Sequence, residues 1–465
     1  MIYPDLNVTI PESLGNVCLV GIGGSGMSGI ARMLHAAGVQ VSGSDRSENA
    51  NTRALQELGI SIGIGHDEKH AHGADTLVVT GALWQDNPEY QYALRNNIPV
   101  LHRSQALAWL SRGKRTIAVA GAHGKTTSTG MTVNALHELK RDPSFVNGGV
   151  IESLGVSAAH GDDDLFVLEA DESDKSFLLY DTAIALITNV DPEHLDFYGS
   201  REAFMDAFVE FADGARERIV ISGDDAGTRE ILPRLDAKKV FTFGESEGCD
   251  LRVVDIDDTD TVRLTLEYDG QRATTGLSVY GRHNAVNAAG VVGVLLTLGF
   301  TLEEAAAAVA SFGGTRRRFE FHGEVAGVRV YDDYAHHPTE VEALLSSIRP
   351  VVGEGRLIAI HQPHLFSRTQ MFAQEFANVL EQNADYTLVL AIDAAREDPV
   401  EGVTGEIVSS KFRDETKVSF QPEWQGAAEH LAEIARPGDV CVTMSCGTVY
   451  QIIPQLLESL ERKFA

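Results

Sequence analysis

The sequence predicts an α/β protein of three domains, each built on a mostly parallel sheet. Three observations lead there. Short β-rich runs alternate with helical runs along nearly the whole chain, and that alternation makes parallel sheets with helices on their faces. Two glycine-rich loops each follow an apolar strand and open a helix, so ligands are met at the carboxyl ends of the strands. The chain is 465 residues long, which suggests three domains at about 150 residues each.

The elements follow in order. Residues 17–21, 39–43 and 76–80 read as strands, with helices such as 27–37 between them. The alternation resumes at 116–120, 165–168, 184–189 and 218–222, then at 356–361, 386–391 and 439–443. Residues 249–279 differ: strand pairs separated by polar turns at 257–260 and 269–270 predict an antiparallel insert. The low-charge run 285–300 holds Asn287 and falls short of the ~20 residues that cross a membrane, so it reads as a buried helix. Ser111-Arg-Gly-Lys-Arg115 and Phe312-Gly-Gly-Thr315 punctuate the pattern and divide the chain into domains 1–112, 113–315 and 316–465.

Composition narrows the function. Hydrophobic residues make up 43% and charged residues 23%, ordinary globular values that exclude a disordered, collagen-like or rod-like chain. With 38 Lys+Arg against 67 Asp+Glu the net charge is −29, which argues against nucleic acid or an anionic membrane as partner. The excess is uneven: 7 basic against 10 acidic residues in 1–112, 17 against 34 in 113–315, and 14 against 23 in 316–465. The first 16 residues carry Asp5 and Glu12 and no basic region, so no signal peptide is expected. Cys18, Cys249, Cys441 and Cys446 show neither CxxC nor zinc spacing, so a disulfide scaffold is not expected and a cytoplasmic location is.

Gly21-Ile-Gly-Gly-Ser-Gly26 matches GxGxxG after a strand and before a helix. Such glycines let the backbone approach a diphosphate at the positive end of the helix. Asp45 lies near the end of the second strand, where a dinucleotide-binding domain keeps its ribose acid. By themselves these residues predict a Rossmann-like dinucleotide site, or a tight strand–helix turn with no ligand. The second loop, Ala120-Gly-Ala-His-Gly-Lys-Thr-Thr127, is P-loop-like: its N–H groups cradle phosphates, Lys125 meets the β/γ-phosphates and Thr126 offers a hydroxyl to Mg²⁺. It departs from the full GxxxxGK[ST] form at Val119.

Residues 162–174 contain seven acids and no base. They are either a solvated charge run or, through Glu169 at a strand end, a Mg²⁺ ligand. Asp191-Pro-Glu-His-Leu-Asp196 places His194 at the same rim, as a helix-start histidine or a metal ligand. Arg316-Arg-Arg318, at a domain junction in an acidic chain, suits phosphate. His336 and His337 before Pro338 form a rigid turn, structural or catalytic. Gly65-His-Asp-Glu-Lys-His-Ala-His72 looks metal-like but lacks hydrophobic framing and reads as an exposed loop.

Together these motifs resemble the Mur ligases. The likeness extends through Gly21–Ala31 as Gly-Ile-Gly-Gly-Ser-Gly-Met-Ser-Gly-Ile-Ala, Gly121-Ala-His-Gly-Lys-Thr-Thr127, Glu169-Ala-Asp-Glu-Ser-Asp174, Asn189–Tyr198, Gly281-Arg-His-Asn-Ala-Val-Asn287, Arg318-Phe-Glu320, Asp332-Asp-Tyr-Ala-His-His-Pro-Thr339 and Gln362-Pro-His364. The resemblance changes the first ligand from NAD to a UDP-sugar, whose diphosphate would lie on Gly23, Gly24, Ser25 and Gly26, with Asp45 beside it. It implies ATP- and Mg²⁺-dependent joining of L-alanine to the lactyl carboxylate of UDP-N-acetylmuramate through an acyl phosphate. It implies that Gly121, Ala122, His123, Gly124, Lys125, Thr126, Thr127, Asn287, Arg318 and Asp333 bind ATP, and that Thr126, Glu169 and His194 bind metal. Tyr334, His336 and Arg368 fall in the amino-acid region, and Lys125, His194, His336 and Asp333 are the expected catalytic groups. The C-terminal domain is then a second Rossmann-like one, with closure of domains assembling the site, and a monomer or weak homodimer is expected.

Two departures bear on specificity. Relatives often carry a basic residue just after Gln-Pro-His, where this chain has Leu365, so Arg368 is left to meet the amino-acid carboxylate. No lysine lies between Lys175 and Lys238, where the later Mur ligases keep a carbamylated one; this favours the alanine-adding type. The competing readings are a murein-recycling ligase that adds a whole peptide, an NAD-dependent dehydrogenase, and a non-catalytic nucleotide sensor.

Overall fold

The computed structural model describes residues 9–81, 83–192, 194–258, 261–395 and 397–465, with only the backbone of 195 and 196. Glu193 and part of the turn expected at 257–260 lie outside the described residues. The described chain forms two compact units. One comprises the residues up to Asp257 with Thr261–Val279 and His283–Thr315; the other comprises Asp258, Tyr280–Arg282 and Arg316–Ala465.

The first unit holds two sheets. The smaller is fully parallel, in the order Ser61–Ile64, Val41–Asp45, Val17–Val20, Thr76–Val79, Val100–His102. Val17–Val20 and Thr76–Val79 are buried throughout, as strands covered on both faces must be. The helix Ser25–Ala36 turns Met27, Ile30, Ala31 and Leu34 to that core at helical spacing. The second strand ends at Asp45, two residues beyond the sequence expectation, which puts its carboxylate at the rim.

The larger sheet has ten strands. Its centre runs Val240–Gly244, Arg218–Ser222, Thr182–Ile187, Arg115–Ala120, Leu165–Glu169, Ser144–Ile151, all parallel. The expected antiparallel insert is an extension of this sheet. Leu251–Asp257 still pairs parallel with Val240–Gly244; Arg263–Tyr268 then turns back, and Gln271–Gly276 pairs antiparallel with it. Asp269 and Gly270 both have positive φ, as a two-residue Asp-Gly hairpin requires. The predicted buried helix is Arg282–Thr297. Gly290 and Gly293 let it settle on the sheet, since a Cβ there would come within 2.8 Å of Phe243 and 2.9 Å of Val220.

The second unit has one six-stranded sheet in the order Glu320–Val325, Val328–Asp333, Val440–Met444, Leu357–His361, Tyr386–Val389, Val418–Phe420. All pairs but the first are parallel, so Asp333 and His361 end their strands on one rim. Among the described residues no helix is long and apolar enough to cross a membrane.

Candidate active site

Strand Arg115–Ala120 leads into the second glycine loop and helix Lys125–Glu138 leaves it. Gly121 and Gly124 have φ of +140° and +80°. A Cβ on Gly121 would stand 2.1 Å from Thr188 Oγ1, and one on Gly124 would stand 2.9 Å from the Asn287 amide. Only glycine fits both the dihedrals and the space. The loop is clamped from the next strand end: His123 N–H donates to Asn189 Oδ1 at 2.9 Å, and Asn189 Nδ2 and Thr188 Oγ1 donate to the His123 carbonyl at 2.9 and 2.7 Å. Backbone N–H groups held rigid at a helix start are an anion site. Thr126 is buried in the first helical turn, while Ala122, His123 and Thr127 are half-buried.

Lys125 Nζ donates to the carbonyls of Gly121 at 2.6 Å and Ala122 at 3.1 Å, and to Glu172 Oε1 at 2.9 Å. The Glu172 side chain is 2% exposed. Burial pushes its carboxyl up to about 7, although Lys125 draws it the other way. Glu169 ends the neighbouring strand, opposite Val119, and its Oε2 accepts the Gly148 N–H at 2.8 Å. His194 is exposed with φ +54° and opens a short helix, its carbonyl accepting from the N–H of Phe197 and of Tyr198. The Thr126 hydroxyl and the Glu169 carboxylate are hard oxygen donors of the kind Mg²⁺ takes.

The first glycine loop lies in the same unit. Gly23 N–H donates to Asp45 Oδ2 at 2.8 Å and Asn51 Nδ2 donates to the Gly23 carbonyl at 2.9 Å. Asp45 therefore shapes the loop backbone as well as standing at its rim. Gly24 caps the helix without a side-chain cap, and Gly24 and Ser25 are exposed. Arg103 links this loop to the acidic stretch: its Nη1 lies 3.2 Å from where a Gly26 Cβ would be, and its Nη2 donates to Asp171 Oδ2 at 3.0 Å.

In the second unit, Asp333 Oδ2 accepts from Phe319 N–H and its Oδ1 from Ala335 N–H, each at 2.8 Å. Burial pushes its carboxyl up to about 6, against the pull of Arg318. His336 Nδ1 is 3.0 Å from the Tyr334 carbonyl and 3.1 Å from Glu340 Oε2, which also accepts the N–H of His336 and of His337. The guanidinium of Arg318 lies over the Tyr334 ring at 5.4 Å. Arg368 buries its Nη1 beside Cys446, and Leu365, buried with φ +69°, caps the helix that carries Arg368.

Three family models match: the Mur ligase family catalytic domain over residues 16–115, the Mur ligase middle domain over 119–295 and the Mur ligase glutamate ligase domain over 317–447. The chain is 61% identical, over 99% of its length and 97% of the relative's, to a Clavibacter sepedonicus protein named UDP-N-acetylmuramate–L-alanine ligase. It belongs to the Mur ligase family. A Cutibacterium acnes relative of the same name is 45% identical over 97% of this Mur ligase and 98% of its own chain. The crystal structure of UDP-N-acetylmuramate-alanine ligase MurC from Thermotoga maritima matches with a TM-score of 0.79 and 28% identity, covering 96% of this chain and 98% of that one. A murein peptide ligase from Psychrobacter arcticus, at 24% identity and a TM-score of 0.73 over 96% and 99% of the chains, shares the fold.

The geometry refines one expectation for this Mur ligase and corrects another. First, residues 65–72 are exposed at His66, Glu68, Lys69 and His72, as expected of a surface loop, but His66 and His70 place Nδ1 at 3.2 and 3.4 Å from Glu89 Oε1, and Glu89 is fully buried. Burial works to raise the Glu89 carboxyl, but the hydrogen bond from His66 holds it down to about 2. The framing that the local sequence lacked comes from a helix 20 residues on. Second, Arg317 is turned inward, donating to Asp332 at 2.9 Å and to the carbonyls of Ser445 and Gly447 at 2.5 and 2.9 Å. Its backbone N–H also donates to Glu320 Oε2 at 2.8 Å, and Glu320, His322 and Asp332 hold ligating atoms within 4.8 Å of one another. Arg103 and Glu340 escaped sequence reasoning, and Glu172 and Asn189, though they lie in motifs of the resemblance, were given no role there, because each acts on a partner through tertiary contact or a cap.

Proposed function

We propose that this Mur ligase joins the amine of L-alanine to the lactyl carboxylate of UDP-N-acetylmuramate and splits ATP to ADP and phosphate, a step in building peptidoglycan precursor. The observation that carries this reading is the 61% identity, across 99% of the chain, to a relative with that activity in its name. A carboxylate is a poor electrophile; phosphorylation makes an acyl phosphate that an amine can attack. The chain's own groups suit those steps. Lys125 and the N–H groups of residues 121–127 meet the triphosphate and stabilise the transferring phosphoryl group. Asn287, packed on Gly124, takes the adenine end, and Arg318 and Asp333 are assigned to ATP. The diphosphate of the UDP-sugar lies on Gly23, Gly24, Ser25 and Gly26, with Asp45 fixing their backbone. Tyr334, His336 and Arg368 receive the amino acid.

Thr126, Glu169 and His194 would hold Mg²⁺, which supplies charge neutralisation to the phosphates when bound. We assign 1–112 to the UDP-sugar, 113–315 to ATP and 316–465 to the amino acid, and place the reaction in the cytoplasm. The test is ADP release with UDP-N-acetylmuramate, Mg-ATP and either L-alanine, glycine, L-serine or a tripeptide. Turnover with L-alanine is the expected result. Turnover with the tripeptide alone overturns the reading in favour of a recycling ligase.

A further inference from the structure

Lys125 is fully engaged before any nucleotide arrives. Its three ammonium protons go to the Gly121 carbonyl, the Ala122 carbonyl and Glu172. Glu172 is 2% exposed and both its oxygens lie within 2.9 Å of Nζ. The other charged groups around the pair are acids or already matched. Asp171 is held by Arg103, Glu169 and Asp171 face Lys125, and the Tyr198 hydroxyl donates to the Glu172 backbone carbonyl at 2.5 Å. Lys125 is therefore the counter-ion of Glu172. A lysine cannot give its full charge to a β/γ-phosphate and remain the counter-ion of a buried carboxylate.

We propose that Glu172 is a latch on Lys125: the nucleotide's phosphates draw the ammonium away, and the carboxylate left behind takes a proton from solvent. One O–H bond forms on Glu172, Lys125 stays protonated, and no other bond changes. A buried carboxylate stripped of its counter-ion neutralises rather than remain charged. Its carboxyl already stands at about 7 with Lys125 in place, so loss of the lysine raises it further. The sign follows: the nucleotide-bound state holds one proton more above pH 7, so nucleotide affinity falls as pH rises. Glu172 is thus a positioning residue for Lys125. The inference rests on reading residues 121–127 as the nucleotide loop.

The test is calorimetry of ADP binding to the full chain, in EDTA, between pH 7 and 9, in pairs of buffers with different ionisation enthalpies. A terminal phosphate ionises near 6, so its own titration lies below this window. Wild type is expected to take up about one proton per ADP near pH 8 and to lose about thirtyfold in affinity across the window. Glu172→Gln is expected to bind ADP with no proton uptake, no pH slope, and about tenfold more tightly at pH 8. ADP binding by wild type with no proton uptake overturns the latch, and needs no variant to be folded. Uptake that persists in a folded Glu172→Gln chain overturns it as well. Failure of ADP to bind at all removes the nucleotide-loop reading and the latch with it.

Discussion

At Lys125 one ammonium group closes its own loop and is aimed at whatever the loop binds. Lys125→Ala is expected to lower ADP release about a hundredfold, since it removes a charge directed at the transferring phosphoryl group; unchanged turnover in a folded variant refutes that role. His361 makes a different residue-scale case. It is 1% exposed, its ring tilts onto Phe376 at 4.7 Å, and neither ring nitrogen has a hydrogen-bond partner among the described residues. Burial, aided by His336, pushes it down to about 3. The unfolded chain takes this proton near pH 6.5 and the folded chain refuses it, so stability is lost as pH falls below 6.5. At pH 5 the loss is about 2 kcal/mol. His361→Phe is expected to recover that amount at pH 5 relative to pH 7.5 in urea unfolding followed at Trp424, and an equal effect at both pH values refutes it. The residues legible in sequence are those whose chemistry is local: Gly121, Gly124 and Lys125 sit within one turn. Glu172 is 47 positions from Lys125 and Asn189 is 66 from His123, so nothing local marks either as a partner.

At the scale of elements, alternation located the strands and helices because buried parallel strands and amphipathic helices write different periods into the chain. Their ends were less legible. The strand expected at 184–189 is Thr182–Ile187, and the two-residue shift matters because it frees Thr188 and Asn189 to bond His123. The turn at 316–319 shows why composition misleads. Three adjacent arginines read as one phosphate patch, yet Arg317 takes φ +62° and Phe319 φ +50°. That places Arg317 between the fully buried Asp332 and the Tyr334 and Tyr450 rings, at 5.1 and 4.8 Å. Left-handed dihedrals at bulky residues are strained, and the ion pair with its two carbonyl bonds holds the turn against that strain. Arg317→Ala leaves a buried charge unpaired and is expected to cost about 3 kcal/mol, read from the urea midpoint of the second unit. Arg317→Lys is expected to recover little, because one ammonium cannot replace the planar fork; full recovery refutes the account.

At the scale of the whole molecule, the net charge of −29 says little about the ligand loops. Its excess sits in 113–315, and both glycine loops present backbone N–H groups at a helix start, so local dipoles there count for more than total charge. The two compact units make a sharper statement. Each has its own apolar clusters: one unit packs Met131, Phe243 and Val291 around the ten-stranded sheet, and the other packs Leu345, Leu380 and Val442 around the six-stranded one. A unit with its own core melts on its own terms. Trp84 and Trp109 lie in the first unit and Trp424 in the second. A Trp424→Phe chain therefore reports the first unit and a Trp84→Phe/Trp109→Phe chain the second. The two are expected to show different thermal midpoints. UDP-N-acetylmuramate at a hundred times its Kd adds about 2.7 kcal/mol to the state that binds it, which for a unit of this size is a rise of about 5 °C. That rise is expected in the first-unit reporter alone, because the loop we assign to the diphosphate, Gly23 to Gly26, belongs to it. Coincident midpoints that rise together on adding the UDP-sugar would instead mean that the chain unfolds as one cooperative body.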